Sequence, residues 1–323
     1  MNTEQPGAER ATPKVMTVLG WVDPAELGIT DAHNHIWIEA VPGIPAGMPR
    51  LDDQAAILKE LLDYRQAGGG AIVDCQPSGC GRNGHKLLEL SKDSGVHVIA
   101  STGFHRRQYY PPDFWLFQAS STQACDLFVT AIESSILEAS EVTESVQVGL
   151  IKIACEARLE DTPQTLLEAA AEASRLTDTA IAIHTEKGSQ AERILEFFQA
   201  RGVSPQRLVI CHIDKRPDAG LHKELAQAGA MLEYDTFYRP IYEPEKNVWP
   251  LLKKLIEEGL VSQIALATDM GNAELWSHLG NGPGLAGFIT VVRSRLESMG
   301  IPPPTIDRLT GINIATRLAR QPI

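Results

Sequence analysis

The chain has 323 residues, 43% of them hydrophobic and 22% charged, which is enough apolar material for a large buried core. Its formal net charge of −12 argues against nucleic acid or an anionic membrane surface as a partner. The length fits one α/β barrel, since such barrels use roughly 200 to more than 400 residues as a single domain.

The number and spacing of the cysteines and the composition of the first 15 residues indicate the cellular compartment. The five cysteines are odd in number and form no C-x-x-C pair, so no disulfide framework is expected. Residues 1–15 are polar and lack the apolar stretch of a secretory signal. No apolar run approaches the roughly 18 residues of a membrane span. We therefore expect a disordered tail or an expression remnant over residues 1–15, and a cytoplasmic protein.

Short apolar segments alternate with amphipathic ones along the rest of the chain. A short strand or hairpin is predicted at 15–22 and a turn at 23–28, and residues 104–121 form a long loop. Strands are predicted at 28–38, 70–76, 96–104, 148–154, 180–186, 208–214, 230–237 and 264–269. Helices are predicted at 51–67, 84–94, 122–139, 162–177, 189–201, 219–228, 247–259 and 284–299.

Eight strand–helix units of this kind indicate parallel βαβ connections. They predict an α/β fold, the closed (β/α)8 TIM barrel, as a single domain over residues 16–323. Active sites of such barrels lie at the carboxyl ends of the strands.

Candidate metal ligands recur in these strands. His33 and His35 in "GITDAHNHIWI" are two residues apart on a strand, so they project from the same face. Four later segments of the same form carry one candidate each, namely Lys152, His184, His212 and Asp269. A lone histidine on a strand is usually structural, but this recurrence indicates a metal centre. Imidazole and carboxylate without thiolate suit Zn, Mn, Co or Fe.

Lys152 is unusual in this set. It lies among Leu150, Ile151 and Ile153 in a strand that reads as buried, where an unpaired ammonium is costly, and as a cation it would repel a metal. Addition of CO2 to the amine would make a carbamate, an anion whose two oxygens can bridge two cations. The competing interpretation is a plain ammonium paired with a carboxylate such as Asp269.

This order of ligands resembles the phosphotriesterase family of the amidohydrolase superfamily. The resemblance extends from about Met16 through "TVLGWVDPAELG" and "STGFH" to "TGINIATRLA" near the end of the chain. It implies two divalent ions: His33, His35 and Asp269 hold the buried ion, His184 and His212 the exposed one, and Lys152, as N6-carboxylysine, bridges them. Asp31 is not a ligand in this scheme and is expected to orient a neighbouring histidine or cap a turn.

The resemblance also implies a mechanism. A hydroxide that bridges the ions attacks the substrate, and Asp269 is the catalytic residue that accepts its proton and delivers it to the leaving group. Zn is the first choice of metal. A small molecule is the expected partner, and because barrels of this family often form dimers, a homodimer is an expected assembly.

The predicted pocket is polar and compact. Residues expected to contact substrate are His105, Arg106, Tyr109, Tyr238, Arg239 and Trp276. His105 occupies the position at which lactonases of the family commonly carry a tyrosine. The branch that hydrolyses phosphorylated sugar lactones has Arg and Tyr shortly after the Asp of strand 8, and "DMGNAELW" lacks both. His222 is predicted to be structural, and His85, His97 and His278 have no predicted role.

The leading hypothesis is a metal-dependent hydrolase that opens a lactone or a related carboxylic ester, with weak promiscuous action on organophosphate triesters. A phosphotriesterase or phosphodiesterase is the alternative within the same chemistry, because the same hydroxide attacks phosphorus. A non-catalytic barrel that binds a small molecule is the alternative from another class.

Overall fold

The strands form a parallel α/β barrel, preceded by a short antiparallel hairpin. The computed structural model describes residues 12–45, 47–136, 138 and 145–322. The hairpin pairs β1 (Val15–Thr17) with β2 (Gly20–Val22). The barrel strands are β3 (Ile29–Asn34), β4 (Gly69–Asp74), β5 (His97–Ile99), β6 (Ser101–Gly103), β7 (Leu150–Ala154), β8 (Ile181–His184), β9 (Leu208–Cys211), β10 (Met231–Tyr234) and β11 (Ile264–Leu266).

The strands pair in chain order around the barrel. β3, β4 and β5 form one parallel set, and β6 to β11 form another. β5 and β6 are successive parts of one strand that is interrupted only at Ala100, so eight strand positions result. At the far edge the backbone N–H of Asp269 donates to the carbonyl of His33 at 3.0 Å, which brings the last strand to the first. The predicted TIM barrel is confirmed.

Helices follow the strands and cover the outside of the barrel. They are α1 (Gln54–Gln66), α2 (Gly84–Ser94), α3 (Ser121–Glu133), α4 (Gln164–Thr177), α5 (Ala191–Gln199), α6 (Ala219–Gln227), α7 (Pro244–Glu257), α8 (Ser294–Ser298), α9 (Pro303–Asp307) and α10 (Asn313–Leu318). Several begin at a side chain that caps free backbone N–H groups: Asp53 for α1, Asn83 for α2 and Asp218 for α6. No helix in the described part of the chain combines the length and apolarity needed to cross a membrane.

Side chains alternate between the barrel interior and the helical layer, as strand geometry requires. On β7, Ile151 and Ile153 belong to the apolar layer under the helices, whereas Leu150 belongs to the interior cluster. Lys152 therefore points inward and is fully buried. Many of its interior neighbours are small, among them Ala32, Ala71, Ala182 and Ala265, which leaves room for a long polar side chain.

Several predicted boundaries need correction. The tail predicted for residues 1–15 lies outside the described residues up to position 11, but Lys14 pairs with Arg320 and Val15 begins β1. The helix predicted at 122–139 ends at Glu133, where the capping residue Ser134 leaves the helical conformation. The helix predicted at 284–299 begins at Phe288 with a π turn that continues into α8.

His222 supports the connection that follows β9. Its Nε2 lies 3.1 Å from the carbonyl oxygen of Ile213 and 2.9 Å from that of Arg216, and its ring is buried. On the other side its Nδ1 contacts the hydroxyl of Tyr234 at the end of β10. The contacts agree with the structural role predicted for this histidine.

Replacing His222 with Gln should reduce acid destabilisation of the fold. Burial lowers the pKa of His222 to about 4, although the carbonyls of Arg216 and Ile213 oppose the shift. As the pH falls from 6.5 to 4, the unfolded chain binds this proton and the folded chain does not, so the free energy of unfolding falls. In His222→Gln that slope should be shallower by up to about 1.4 kcal/mol per pH unit, measured by urea denaturation across this range. His85→Gln, at a half-exposed position, is the control, and equal slopes in His222→Gln and the native chain would contradict the prediction.

Candidate metal centre

Three candidate ligands meet at the carboxyl ends of the first and last barrel strands. His33, His35 and Asp269 offer ligand atoms that all lie within 4.8 Å of one another. Asp269 Oδ1 is 3.5 Å from His35 Nε2 and 3.8 Å from His33 Nε2. A single ion could therefore be shared by two imidazoles and one carboxylate.

Lys152 approaches this group from below. Its Nζ lies 3.1 Å from His33 Nε2, and the side chain is fully buried. Burial disfavours the charged amine, but the nearby thiols of Cys75 and Cys211 and the carboxylates of Glu233 and Asp269 raise its pKa above the ordinary value. The mid-strand position of Lys152 thus places its amine under the histidines, deeper than the other candidates.

His184 and His212 complete the ring of imidazoles. Their ring centroids are 4.6 Å apart, and His212 lies 4.9 Å from His33. The Nε2 atom of His184 is buried and makes no hydrogen bond within the described residues, and the nearest carboxylate oxygen, on Glu186, is 3.7 Å away. Buried polar atoms normally have a partner, and a metal ion bound at this nitrogen would supply one.

His212 reaches the centre through an uncommon backbone conformation. It follows β9 with φ of 61°, in the left-handed region. Its neighbour Cys211 packs inside the barrel, and in a regular strand His212 would then point outward. The left-handed turn instead brings His212 back over the interior, so both side chains face inward.

Each of three candidate histidines is held at Nδ1 by a dedicated acceptor. His33 Nδ1 lies 2.9 Å from Glu233 Oε2, His35 Nδ1 lies 2.7 Å from Gln76 Oε1, and His212 Nδ1 contacts Asp235 Oδ2. Such bonds fix the tautomer and leave Nε2 free for a metal. These acceptors are not among the residues predicted from the sequence. The signal was present for Glu233 and Asp235, which stand two residues apart on a predicted strand.

Burial keeps several of these imidazoles neutral, which suits them to bind cations. Burial lowers the pKa of His33, His105, His184 and His212, and a histidine must be deprotonated at the ligating nitrogen to coordinate a metal. The nitrogen and oxygen donors, without a thiolate among the candidate ligands, fit the divalent ions predicted from the sequence.

Asp269 is held in a strained conformation. Its φ is 47°, and left-handed values are uncommon outside glycine. Arg239 Nη2 donates to its Oδ2 at 2.8 Å. Burial opposes ionisation of Asp269, but the Arg239 guanidinium and a hydrogen bond from His35 hold its pKa well below the ordinary value. Asp269 therefore stands as an anion between the histidines and a guanidinium.

A cavity of about 190 Å³ opens above these residues. His105, Tyr109 and Arg239, three of the residues predicted to contact substrate, line it together with an apolar wall. That wall is formed by Ile38, Val41, Ile44, Met48 and Pro49. A cavity of this size suits a compact molecule.

Three residues predicted to contact substrate lie elsewhere. Trp276 is fully buried, and its indole N–H donates to the carbonyl of Met270 at 2.8 Å. Tyr238 packs its hydroxyl against Gly287, away from the cavity. Arg106 lies outside the cavity lining and bridges Glu156 and Glu186. The sequence places these side chains on the correct loops but does not reveal their directions.

The remaining polar residues have identifiable contacts. Asp31 accepts hydrogen bonds from the backbone N–H of His33 and from Thr268, so it joins the first and last strands. His278 contacts Asp63, and His85 contacts Glu89 on the same helix. His97 begins β5 and is partly buried.

The sequence model of the phosphotriesterase family matches residues 13–303. The chain belongs to the phosphotriesterase family. It is similar to a phospho-furanose lactonase of Mycoplasmopsis synoviae, with 29% identity over 79% of this chain and 76% of the relative. It is also similar to an N-acetyltaurine hydrolase of Danio rerio, with 27% identity over 92% of this chain and 95% of the relative.

Solved structures of the phosphotriesterase family share the same barrel. An amidohydrolase from Mycoplasma synoviae superposes with a TM-score of 0.86 and 27% identity, covering 95% of this chain and 92% of its own. The metal dependence of the family agrees with the candidate ligands described above.

Replacing Glu233 with Gln should weaken metal binding while the barrel stays folded. The amide would present an N–H₂ to His33 in one of its two orientations, so the tautomer of His33 would no longer be fixed. We expect affinity for Zn²⁺ to fall by about tenfold or more, measured by competition with a chromophoric chelator. Glu39→Gln is a matched control, since Glu39 lines the cavity but bonds Trp37 and Asn83. Equal affinities in both variants would show that Glu233 has no such role.

Proposed function

We propose that this protein is a binuclear metal-dependent hydrolase that opens a compact, polar lactone or related carboxylic ester. The observation that carries the proposal is the convergence of six candidate ligands, His33, His35, Lys152, His184, His212 and Asp269, on one end of the barrel. Membership in a hydrolytic family supports it.

The candidate ligands divide between two ions. His33, His35 and Asp269 would hold one and His184 and His212 the other, with carboxylated Lys152 between them; Zn²⁺ is the proposed metal. When bound, the ions would lower the pKa of a shared water towards about 7 and polarise the carbonyl of the substrate. Carboxylation replaces the buried cation of Lys152 with an anion, which the charge of two divalent ions requires.

The side chains around this centre have separate tasks. Asp269 would take the proton of the attacking water and pass it to the leaving group. His105 and Tyr109 form one wall of the cavity, with ring centroids 4.5 Å apart in an edge-to-face arrangement, and would limit the width of the substrate. Gln76, Glu233 and Asp235 keep the imidazoles in position.

The cavity favours a substrate that is apolar on one side and anionic on the other. Arg239 lines the cavity, and its Nε has no hydrogen-bond partner within the described part of the chain. The opposite wall is apolar. The relative named phospho-furanose lactonase acts, by its name, on a phosphorylated lactone, but Arg and Tyr do not follow Asp269 here. Arg239 would therefore hold the anionic group.

A second candidate function is hydrolysis of a small N-acyl amide. The relatives named N-acetyltaurine hydrolase match 92% of this chain, and the proposed attack on a carbonyl carbon applies equally to an amide. Action on organophosphate triesters is expected to be weak and promiscuous.

A substrate panel tests the proposed function. Zinc-loaded protein should hydrolyse γ-lactones, and a carboxylate-bearing lactone should have a kcat/KM about tenfold above that of its neutral parent, because of Arg239. Arg239→Met should remove this preference. Arg158→Gln also removes one positive charge, at an exposed position near the same end of the barrel, and this variant should keep the preference for the carboxylate-bearing lactone. N-acetyltaurine and paraoxon complete the panel. If either is turned over faster than every lactone, amide or phosphotriester hydrolysis would replace lactone hydrolysis as the leading function.

Lys152→Ala should empty the centre of at least one ion and abolish hydrolysis. Short carboxylic acids added in solution should partly restore both, since a free carboxylate can occupy the position of the carbamate. Lys152→Met, similar in length and apolar, should be folded and inactive, and Lys152→Glu should retain some metal. Metal content is measured by atomic absorption and the carbamate by native mass spectrometry. An unmodified Lys152 in fully loaded, active protein would refute the carbamate.

A further inference from the structure

The carboxylate of Glu60 is buried beneath the loop that follows Asp269. Glu60 lies on α1 with an exposed fraction of 0%. Its Oε2 accepts hydrogen bonds from the backbone N–H of Ser277 at 3.0 Å, the hydroxyl of Ser277 at 2.9 Å and the backbone N–H of His278 at 3.1 Å. Its Oε1 accepts from the backbone N–H of Leu285 at 2.8 Å. All four donors belong to residues 270–287, which we call loop 8.

A second carboxylate of the same helix contacts the same loop. Asp63, nearly one helical turn after Glu60, lies 2.6 Å from His278 Nε2 through its Oδ2. Within the described residues no cationic side chain forms an ion pair with Glu60. Burying a charge without a counter-ion is costly, so the four hydrogen bonds must hold the carboxylate in place. The same four bonds also fix loop 8, because all their donors belong to that loop.

Loop 8 connects this clamp to the metal centre. Trp276 stands next to Ser277 and donates its indole N–H to the carbonyl of Met270, the residue after Asp269. Gly271 packs on the ring of His35, where a Cβ would lie 3.3 Å from Cδ2. Gly271 and Asn272 line the cavity. The left-handed conformation of Asp269 persists only if the surrounding structure determines it, and loop 8 is one part of those surroundings.

We propose that Glu60 is a positioning residue that sets the place of Asp269 and Asn272 through loop 8, and with it metal affinity and the fit of the substrate. The inference rests on the proposed function for the role of Asp269. Glu60 contacts neither the cavity nor a candidate ligand, so its action is indirect.

Glu60→Gln tests the clamp with little change in volume. An amide has one accepting oxygen, and its N–H₂ would face either Leu285 N–H or the N–H groups of Ser277 and His278, so at least one bond becomes a repulsion. We expect backbone amides of residues 270–285 to exchange with deuterium at least about tenfold faster and zinc affinity to fall by about tenfold. We also expect kcat per metal-loaded site to fall by about tenfold to a hundredfold.

Asp53→Ala controls for loss of α1 stability, because Asp53 caps the helix and does not contact loop 8. Its metal-loaded form should match the native protein in zinc affinity and in exchange over 270–285. Ser277→Ala and Asp63→Asn each remove one contact and should give smaller effects of the same kind. They serve as the test if Glu60→Gln does not fold.

Changes in Glu60→Gln no larger than in Asp53→Ala would overturn the inference. Faster exchange in loop 8 with unchanged zinc affinity and kcat would also overturn it, since Glu60 would then stabilise the loop without affecting the metal centre. Exchange and zinc affinity require no substrate. A native protein that hydrolyses nothing on the panel would therefore defeat the proposed function and leave the clamp to be decided by these two measurements.

Discussion

The burial of one amine at the centre of the barrel constrains the rest of the site. Lys152 cannot reach solvent, and its neighbours are an imidazole and, farther off, buried carboxylates and thiols. Without metal the carboxylates compensate the ammonium. If two divalent ions bind as proposed, a cation at that point would be repelled, so the side chain would have to become an anion or yield its place. The proposed carbamate would in this way couple metal binding and CO2 to a single nitrogen.

The hydrogen bonds behind the histidines distribute charge unevenly around the centre. Glu233 and Asp235 stand behind His33 and His212, whereas a neutral amide, Gln76, stands behind His35. A carboxylate makes an imidazole a stronger donor to a metal than an amide does. Among the candidate ligands, His33 and His212 would then bind a metal more firmly than His35.

The fold and the candidate ligands could be predicted from the sequence because both depend on periodicity. Each barrel strand is a short apolar run, and a side chain at its carboxyl end enters the site whichever helix follows. Side chains on loops were harder to predict. Trp276 and Tyr238 lie on the correct loops, but the directions of their side chains depend on packing against Met270 and Gly287. The local sequence pattern does not predict these contacts. His212 reaches the centre through a left-handed backbone, which strand alternation does not anticipate.

The two ends of the described chain lie side by side. Lys14 and Arg320 exchange backbone hydrogen bonds of 2.8 and 2.9 Å, and the hairpin beside them covers the amino ends of the strands, where Val18 N–H donates to the carbonyl of Val98. The cavity opens at the opposite end of the barrel. A peptide linker could therefore join these neighbouring positions, and new termini could be opened in a surface loop, without crossing the mouth of the cavity. The same arrangement would let the protein be anchored to a solid support through this end with the cavity facing the solution.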